Sequence, residues 1–308
     1  MKAEGGGGRG EGLAPCHSDG HQPGTGHRRR WSRAALVGEE SLRGGEILRC
    51  AQDDRHAQDD AISFRLLVDP PADGPWNMAV DQALLESAER GQGGLRFYQW
   101  QQPTLSFGYF QPYEDRRRHP ASARCLAVRR PSGGGAILHD REITYSLAIP
   151  ARHPMAAHRL ELYRSVHLAL IETLTDWGIR ASLCSPPVHS SSAQEPFLCF
   201  QRRAAGDVLL GEAKIAGSAQ RRLRGAVLQH GSVLLGRSVA APELPGIAEL
   251  TGRCIEAREL IRGWLDRLSG PRQIDWHQGA LCDPERTRAA ELVATKYGAR
   301  VWTENRGR

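Results

Sequence analysis

Cys199 and Lys214 stand fifteen positions apart, and a thiol and an amine at that spacing suit acyl transfer. A cysteine takes an acyl group from a thioester when it is a thiolate, and a neighbouring ammonium favours that state by lowering the thiol pKa. The same ammonium stabilises negative charge on the carbonyl oxygen in the transition state. Lys214 is conspicuous because lysine is scarce: of 41 lysines and arginines only Lys2, Lys214 and Lys296 are lysine, which leaves 38 arginines. A chain that meets nearly every need for positive charge with guanidinium keeps an interior lysine for what arginine cannot do. Lysine is a compact point charge with three rotatable donors, whereas arginine is a planar fork. The plainer alternatives are a surface lysine beside a hairpin turn and a cysteine that fills space as a small hydrophobe. Cys125, Cys184, Cys254 and Cys282 have no comparable context and read as structural.

Two further segments bear on the same chemistry. Arg129-Arg130-Pro131-Ser132-Gly133-Gly134-Gly135-Ala136-Ile137-Leu138-His139-Asp140 sets three consecutive glycines between two strands. Such a loop turns tightly and brings backbone N–H groups close to an anion or an acyl carbonyl. Arg130 adds a charge-assisted bond to the same group. The other segment is Gly217-Ser218-Ala219-Gln220, with Gln229-His230-Gly231-Ser232 across the next turn. Small residues on adjacent strands leave a slot for an aliphatic chain, or simply make a tight hairpin.

The elements that position these residues are legible from periodicity. Residues 64–68 read as a strand, and Asp73-Gly74-Pro75 starts a helix to about Arg90, with Met78, Ala79, Leu84, Leu85 and Ala88 on its apolar side. Residues 95–100 and 104–109 read as strands around Gln101-Gln102-Pro103, followed by strands 126–130 and 143–149. Leu162, Val166, Leu170 and Leu174 mark an amphipathic helix over 159–177. Residues 207–210, 214–221 and 226–235 read as a meander with turns at Gly211 and Gly225. Beyond Pro242 the pattern changes to short helices, roughly 254–268 and 284–296. This predicts an α+β domain around a mostly antiparallel sheet flanked by helices, with a small helical C-terminal part.

Three regions are expected: an N-terminal extension over 1–61, disordered or a mis-assigned start, a catalytic domain over 62–240, and a short helical segment over 241–308. The first 60 residues hold twelve glycines, too little apolar surface to offset the entropy of ordering them. They carry nine Lys/Arg against ten Asp/Glu, so of the net +6 the body holds about +7. A basic body points to an acidic partner reached by electrostatic steering. No nucleic-acid motif is present, so an acidic protein is expected rather than nucleic acid. No run approaches a membrane span, and no apolar signal-peptide core opens the chain. Seven scattered cysteines without a Cys-x-x-Cys pair argue against a disulfide framework or structural zinc, and for a reducing cytoplasm.

Taken together, Arg-Arg-x-Ser-Gly-Gly-Gly-x5-Asp, Lys-Ile-Ala-Gly-Ser-Ala-Gln and Leu-Gln-His-Gly-Ser resemble the lipoate–protein ligase A and octanoyltransferase family. The likeness spans about 64–235 and returns at Lys296-Tyr297-Gly298-x3-Trp302. It implies the fold of biotin–protein ligases and class II aminoacyl-tRNA synthetases. It also implies one of two chemistries on the lysine of a lipoyl domain. In one, ATP-dependent ligases adenylate the free acid, which would require ATP and Mg. In the other, cysteine transferases move octanoyl from acyl carrier protein through an acyl-enzyme, with no cofactor. The cysteine branch implies a nucleophile at Cys199 and its lysine at Lys214. Glu142-Ile143-Thr144-Tyr145-Ser146 resembles the transferases, whereas the third glycine, Gly135, is the ligase form.

The expected function is therefore octanoyl transfer from octanoyl-acyl carrier protein to lipoyl domains. Cys199 and Lys214 are the catalytic pair, with backbone N–H groups near Gly217 and Ser218 at the oxyanion. The acyl tail is expected between the glycine loop (Arg130, Ser132, Gly133, Gly134, Gly135, Ala136, Ile137, Leu138) and the strand of Gly217, Ser218 and Ala219, with His230 nearby. His139 and Asp140 are expected to shape the loop rather than act as base. No metal site is expected. The alternatives are the ATP-dependent ligase, in which Arg130 and residues 135–138 cradle the adenylate, and a carrier-binding protein without catalysis.

Overall fold

The computed structural model describes residues 63–185, 195–270 and 274–307. The expectation for 1–61 lies outside the described residues. The chain opens with strand β1 (Ser63–Val68) and helix α1 (Gly74–Glu89). Asp73 caps α1 by accepting the Trp76 N–H at 2.8 Å, and a proline in the first turn fixes its start. Then come β2 (Gly94–Tyr98), β3 (Thr104–Phe107), β4 (Leu126–Arg129), β5 (Ile137–His139) and β6 (Glu142–Pro150). Helices α2 (Pro154–Ala157) and α3 (Arg159–Asp176) precede β7 (Ala181–Leu183) and the expected meander, β8 (Val208–Leu210), β9 (Ala213–Leu223) and β10 (Ala226–Leu234). The C-terminal stretch holds α4 (Ile247–Thr251), α5 (Ala257–Ser269), β11 (Asp275–Gln278), α6 (Asp283–Leu292) and α7 (Arg300–Asn305).

Eight strands form one sheet in the order β11-β1-β2-β6-β10-β9-β8-β7. Its β11, β1 and β2 are mutually parallel and every other pairing is antiparallel. A second sheet, β4-β3-β5, holds the glycine loop between β4 and β5. The α+β architecture is as the sequence predicts, with two corrections. The strands on either side of Gln101-Gln102-Pro103 belong to different sheets, so the chain changes layers there. The C-terminal stretch is not purely helical, because β11 extends the main sheet beside β1.

Strand β6 shows how the sheet separates core from site. Its alternation sends Ile143, Tyr145, Leu147 and Ile149 into a core with Leu162, Val166, Leu170 and Leu174 of α3 and Trp264 of α5. Thr144 and Ser146 project to the other face, where Thr144 meets Trp100 and Ser146 meets Asp81 of α1. That face is covered by a second core from α1 and α6, including Met78, Leu84, Leu85 and Leu292. The tail motif serves this packing. Lys296 Nζ and Tyr297 Oη both donate to Gln82 Oε1 of α1 at 2.8 Å, and Trp302 Nε1 donates to the Arg129 carbonyl at 2.9 Å. Among the described residues no helix is long and apolar enough to cross a membrane.

Candidate active site

Cys199 opens a single 3₁₀ turn, Cys199–Gln201, at the edge of a third core that contains Phe197, Leu198 and Phe200. Its N–H donates to the Ala136 carbonyl at 2.7 Å, and the Ala136 N–H donates to the Phe197 carbonyl at 3.2 Å. The cysteine segment is thereby stitched to the far end of the glycine loop. Lys214, near the start of β9, extends its ammonium to 3.9 Å from Cys199 Sγ and lies 5.4 Å from the Phe200 ring centroid. Lys214 is 7% exposed, which removes the surface-lysine alternative.

The ammonium has a second partner that the sequence did not disclose. Asp207, 1% exposed, accepts from Lys214 Nζ through Oδ2 at 2.8 Å. The same oxygen accepts the Ala204 N–H at 2.8 Å, and Oδ1 accepts Tyr163 Oη–H at 2.8 Å. Burial, then the charge of Asp207, push the Tyr163 phenol far above its ordinary range, so it stays a donor. A compact ammonium can serve a carboxylate and a sulfur at once, which a planar fork does poorly. Gly217 makes room for it, since a Cβ there would lie 2.5 Å from Lys214 Cε and 2.8 Å from Nζ.

Arg130 works on the loop itself. Its Nη1 donates to the Ser106 carbonyl at 2.9 Å and Oγ at 3.1 Å, and its Nη2 donates to the carbonyls of Gly133 (2.9 Å) and Gly135 (2.6 Å). No carboxylate pairs with it among the described residues, and burial pulls its pKa down to about 10. Gly134 takes φ +95°, and a Cβ on Gly108 would lie 1.9 Å from the Gly134 carbonyl oxygen, so the loop packs on bare backbone.

A cavity of about 280 Å³ runs between this loop and the strand carrying Gly217, Ser218 and Ala219. Arg130, Gly133, Gly134, Ile137, His139, Cys199, Lys214 and His230 also line it, with Met78, Tyr98 and Trp100. Ser132, Gly135, Ala136, Leu138 and Asp140 do not reach its wall. Ser132 lies behind His230, with its Oγ 2.5 Å from Nε2. His139 is locked between Ser106 Oγ (2.7 Å) and Glu142 Oε1 (2.6 Å), and its ring stacks on Trp100 at 3.9 Å. The expected oxyanion donor at Ser218 is corrected, because its N–H donates to Tyr163 Oη at 3.1 Å. Its hydroxyl is likewise engaged, 2.6 Å from Tyr145 Oη and 2.7 Å from His167 Nε2. Burial holds the His167 pKa down at about 4.

Sequence reasoning thus missed Asp207, Tyr163 and His167, and also Asp81. Asp81 carried a signal, because Asn77 and Asp81 lie four apart on α1 among its buried apolar residues. Among the described residues no group of three or more His, Cys, Asp or Glu is placed to hold a metal ion.

Residues 73–242 match the family described as the lipoyl protein ligase A/B catalytic domain. The chain belongs to that family. Among curated members, it is 30% identical over 275 residues to the octanoyltransferase LipM of Brevibacillus brevis, covering 79% of this chain and 99% of that protein. It is 37% identical over 261 residues to the octanoyltransferase LipM of Anoxybacillus flavithermus, covering 75% of this chain and 94% of that one. Among solved structures, a putative lipoate protein ligase from T. acidophilum with bound lipoic acid matches with a TM-score of 0.65 at 22% identity. That match covers 79% of this chain and all of the other, and it speaks for the lipoyl ligase fold alone.

Proposed function

We propose that this family member is an octanoyltransferase of protein lipoylation that works through an acyl-enzyme on Cys199. The observation that carries the reading is the buried Lys214 ammonium beside the Cys199 sulfur at the edge of the cavity. The Cys199 thiolate attacks the thioester of octanoyl-acyl carrier protein. A C–S bond forms at Cys199, the carrier's own C–S bond breaks, and the carrier leaves as its thiolate, which takes a proton from solvent. Lys214 stabilises the thiolate and then the oxyanion, and burial of its ammonium strengthens that charge interaction. The lipoyl-domain lysine then attacks the acyl-enzyme, which yields the amide and frees Cys199. The acyl chain fits the cavity along Gly217 and Ala219. Both carriers are acidic proteins that suit the basic body, and a free catalytic thiol suits a reducing cytoplasm.

The ligase form of Gly135 favours the ATP-dependent alternative, with ATP and Mg as its cofactors. Its expected adenylate cradle is already engaged, however. The N–H and carbonyl of Ala136 bond Phe197 and Cys199, and Ile137 and Leu138 pair with β3. Transfer from octanoyl-acyl carrier protein to a lipoyl domain, assayed with and without ATP and Mg, tests the choice. Modification of the domain without ATP supports the transferase. Modification only with free octanoate and ATP would make the chain a ligase.

A further inference from the structure

Helix α3 has three faces. Leu162, Val166, Leu170 and Leu174 pack into the core. Arg159, Tyr163 and His167, four apart and so on one face, look onto the site. Arg159 lines the cavity, Tyr163 Oη donates to Asp207 Oδ1 at 2.8 Å, and His167 Nε2 lies 2.7 Å from Ser218 Oγ. The third face is turned outward. It carries Leu160, Arg164 and Leu168, again four apart, with Leu160 72% exposed, Leu168 39% exposed and Arg164 exposed between them. Neither leucine packs into a hydrophobic core. A single exposed leucine is ordinary, but two on one stripe, bracketing an arginine beside a reactive centre, are not scattered.

Each residue of this outer stripe directly follows one that faces the site, so their Cα atoms are about 3.8 Å apart. The stripe lies about 100° round the helix from the site-facing residues. Arg159 is exposed and also lines the cavity, so it marks the rim. A molecule resting on the stripe therefore stands beside the rim without filling the cavity. The surrounding charge is positive. Among the described residues no carboxylate pairs with Arg159, Arg164 or Arg222, and Arg222 Nη2 donates to the Ala156 carbonyl at 2.7 Å, which holds its guanidinium beside the start of α3. The exposed Glu161 lies a further ~100° round, away from the site. Glu172, one turn past Leu168, lies in the field of Arg267 of α5, so the basic and apolar stripe ends there.

Resting on the acyl-enzyme reading above, we propose that Leu160, Arg164 and Leu168 form the docking stripe for acyl carrier protein, the octanoyl donor of the first half-reaction. Charge complementarity selects an acidic partner, and the two leucines select one with apolar positions along its acidic face. Reach then separates the two acidic substrates. Acyl carrier protein holds its thioester at the end of a long, flexible prosthetic arm, so it can rest on the outward stripe while the arm passes the Arg159 rim to Cys199. The lipoyl lysine carries its amine on its own short side chain, so that domain must sit over the rim itself.

The test compares two octanoyl donors by intact mass in single turnover: octanoyl-acyl carrier protein, and octanoyl-N-acetylcysteamine, a small thioester with no protein to dock. In Leu160→Ser/Arg164→Glu, the second-order rate of Cys199 octanoylation from acyl carrier protein falls by about 10-fold or more. Octanoylation from the small thioester keeps the wild-type rate, and so does transfer from the acyl-enzyme to the lipoyl domain. Arg164→Lys, which keeps the charge, retains most of the rate with acyl carrier protein. An unchanged rate with acyl carrier protein in the double variant, or equal slowing with both donors, would overturn the docking stripe. Slowed transfer to the lipoyl domain with octanoylation intact would give the stripe to that domain instead, and a dimer that becomes a monomer in the variant would give it to a second copy of this chain. A wild-type protein that takes up octanoyl on Cys199 from neither donor would remove the acyl-enzyme reading itself, and the docking stripe with it.

Discussion

Lys214 is bound more closely to Asp207, at 2.8 Å, than to Cys199, at 3.9 Å. The carboxylate anchors the ammonium and the sulfur receives its field. Because both members of the ion pair are buried, the arrangement is rigid, and it depends on each partner being present.

Lys214→Arg keeps a positive charge but replaces a point charge with a planar fork. Octanoyl transfer should fall by roughly 100-fold or more, as for other lost oxyanion donors, with folding retained. Steady-state turnover with octanoyl-acyl carrier protein measures this. Unchanged turnover would contradict the special role of the one interior lysine in the site.

Asp207→Asn leaves a buried ammonium without its counter-charge and should cost about 3–5 kcal/mol of stability. Adding Lys214→Met removes the orphaned charge and should restore most of that loss, which urea denaturation would report. A double variant as unstable as Asp207→Asn alone would mean that the pair is not the cause.

Gly217→Ala places a methyl where Lys214 Cε and Nζ now lie. The lysine must move, so the rate of Cys199 acylation should drop while the far-ultraviolet circular dichroism stays native. A fully active Gly217→Ala would show that the ammonium's position is not needed.

His167 gives a pH signature of stability. Burial holds its folded pKa at about 4, below the ordinary histidine value of 6.5. Between those values the unfolded chain binds a proton that the folded chain does not, so stability falls as pH drops from about 6.5 to about 4 and then levels off. The contribution is about 3 kcal/mol at most, from 1.36 kcal/mol per pKa unit. Urea midpoints at pH 7 and pH 5 should differ in wild type and converge in His167→Gln. An equal pH dependence in the variant would assign the effect to other groups.

Much of this was legible because it is local. One of three lysines among 38 arginines, a cysteine fifteen positions before it and a triple glycine are properties of composition and spacing. Helices α1 and α3 announced themselves by period, since Leu162, Val166, Leu170 and Leu174 all face the core. The partners were not legible, because they come from distant elements. Asp207 reads only as the edge of a strand, and Tyr163 and His167 as polar positions on a surface helix. A bulge in the β8–β9 pairing, between Val208 and Leu209, sits next to Asp207, and no residue type announces it. Strands β5 and β7, of three residues each, are too short for alternation to show. Arg130 misled for a related reason. Its charge suggested a ligand, and it lines the cavity, but Nη2 is spent on the loop's own carbonyls and Nη1 on Ser106 of β3.

The most direct measurement is the intact mass of the protein mixed with octanoyl-acyl carrier protein in the absence of ATP, beside Cys199→Ala. An octanoyl adduct on the wild-type chain that is missing from Cys199→Ala is the expected result. An adduct that survives in Cys199→Ala, or no adduct on a wild-type chain that still modifies the lipoyl domain, would contradict the covalent account.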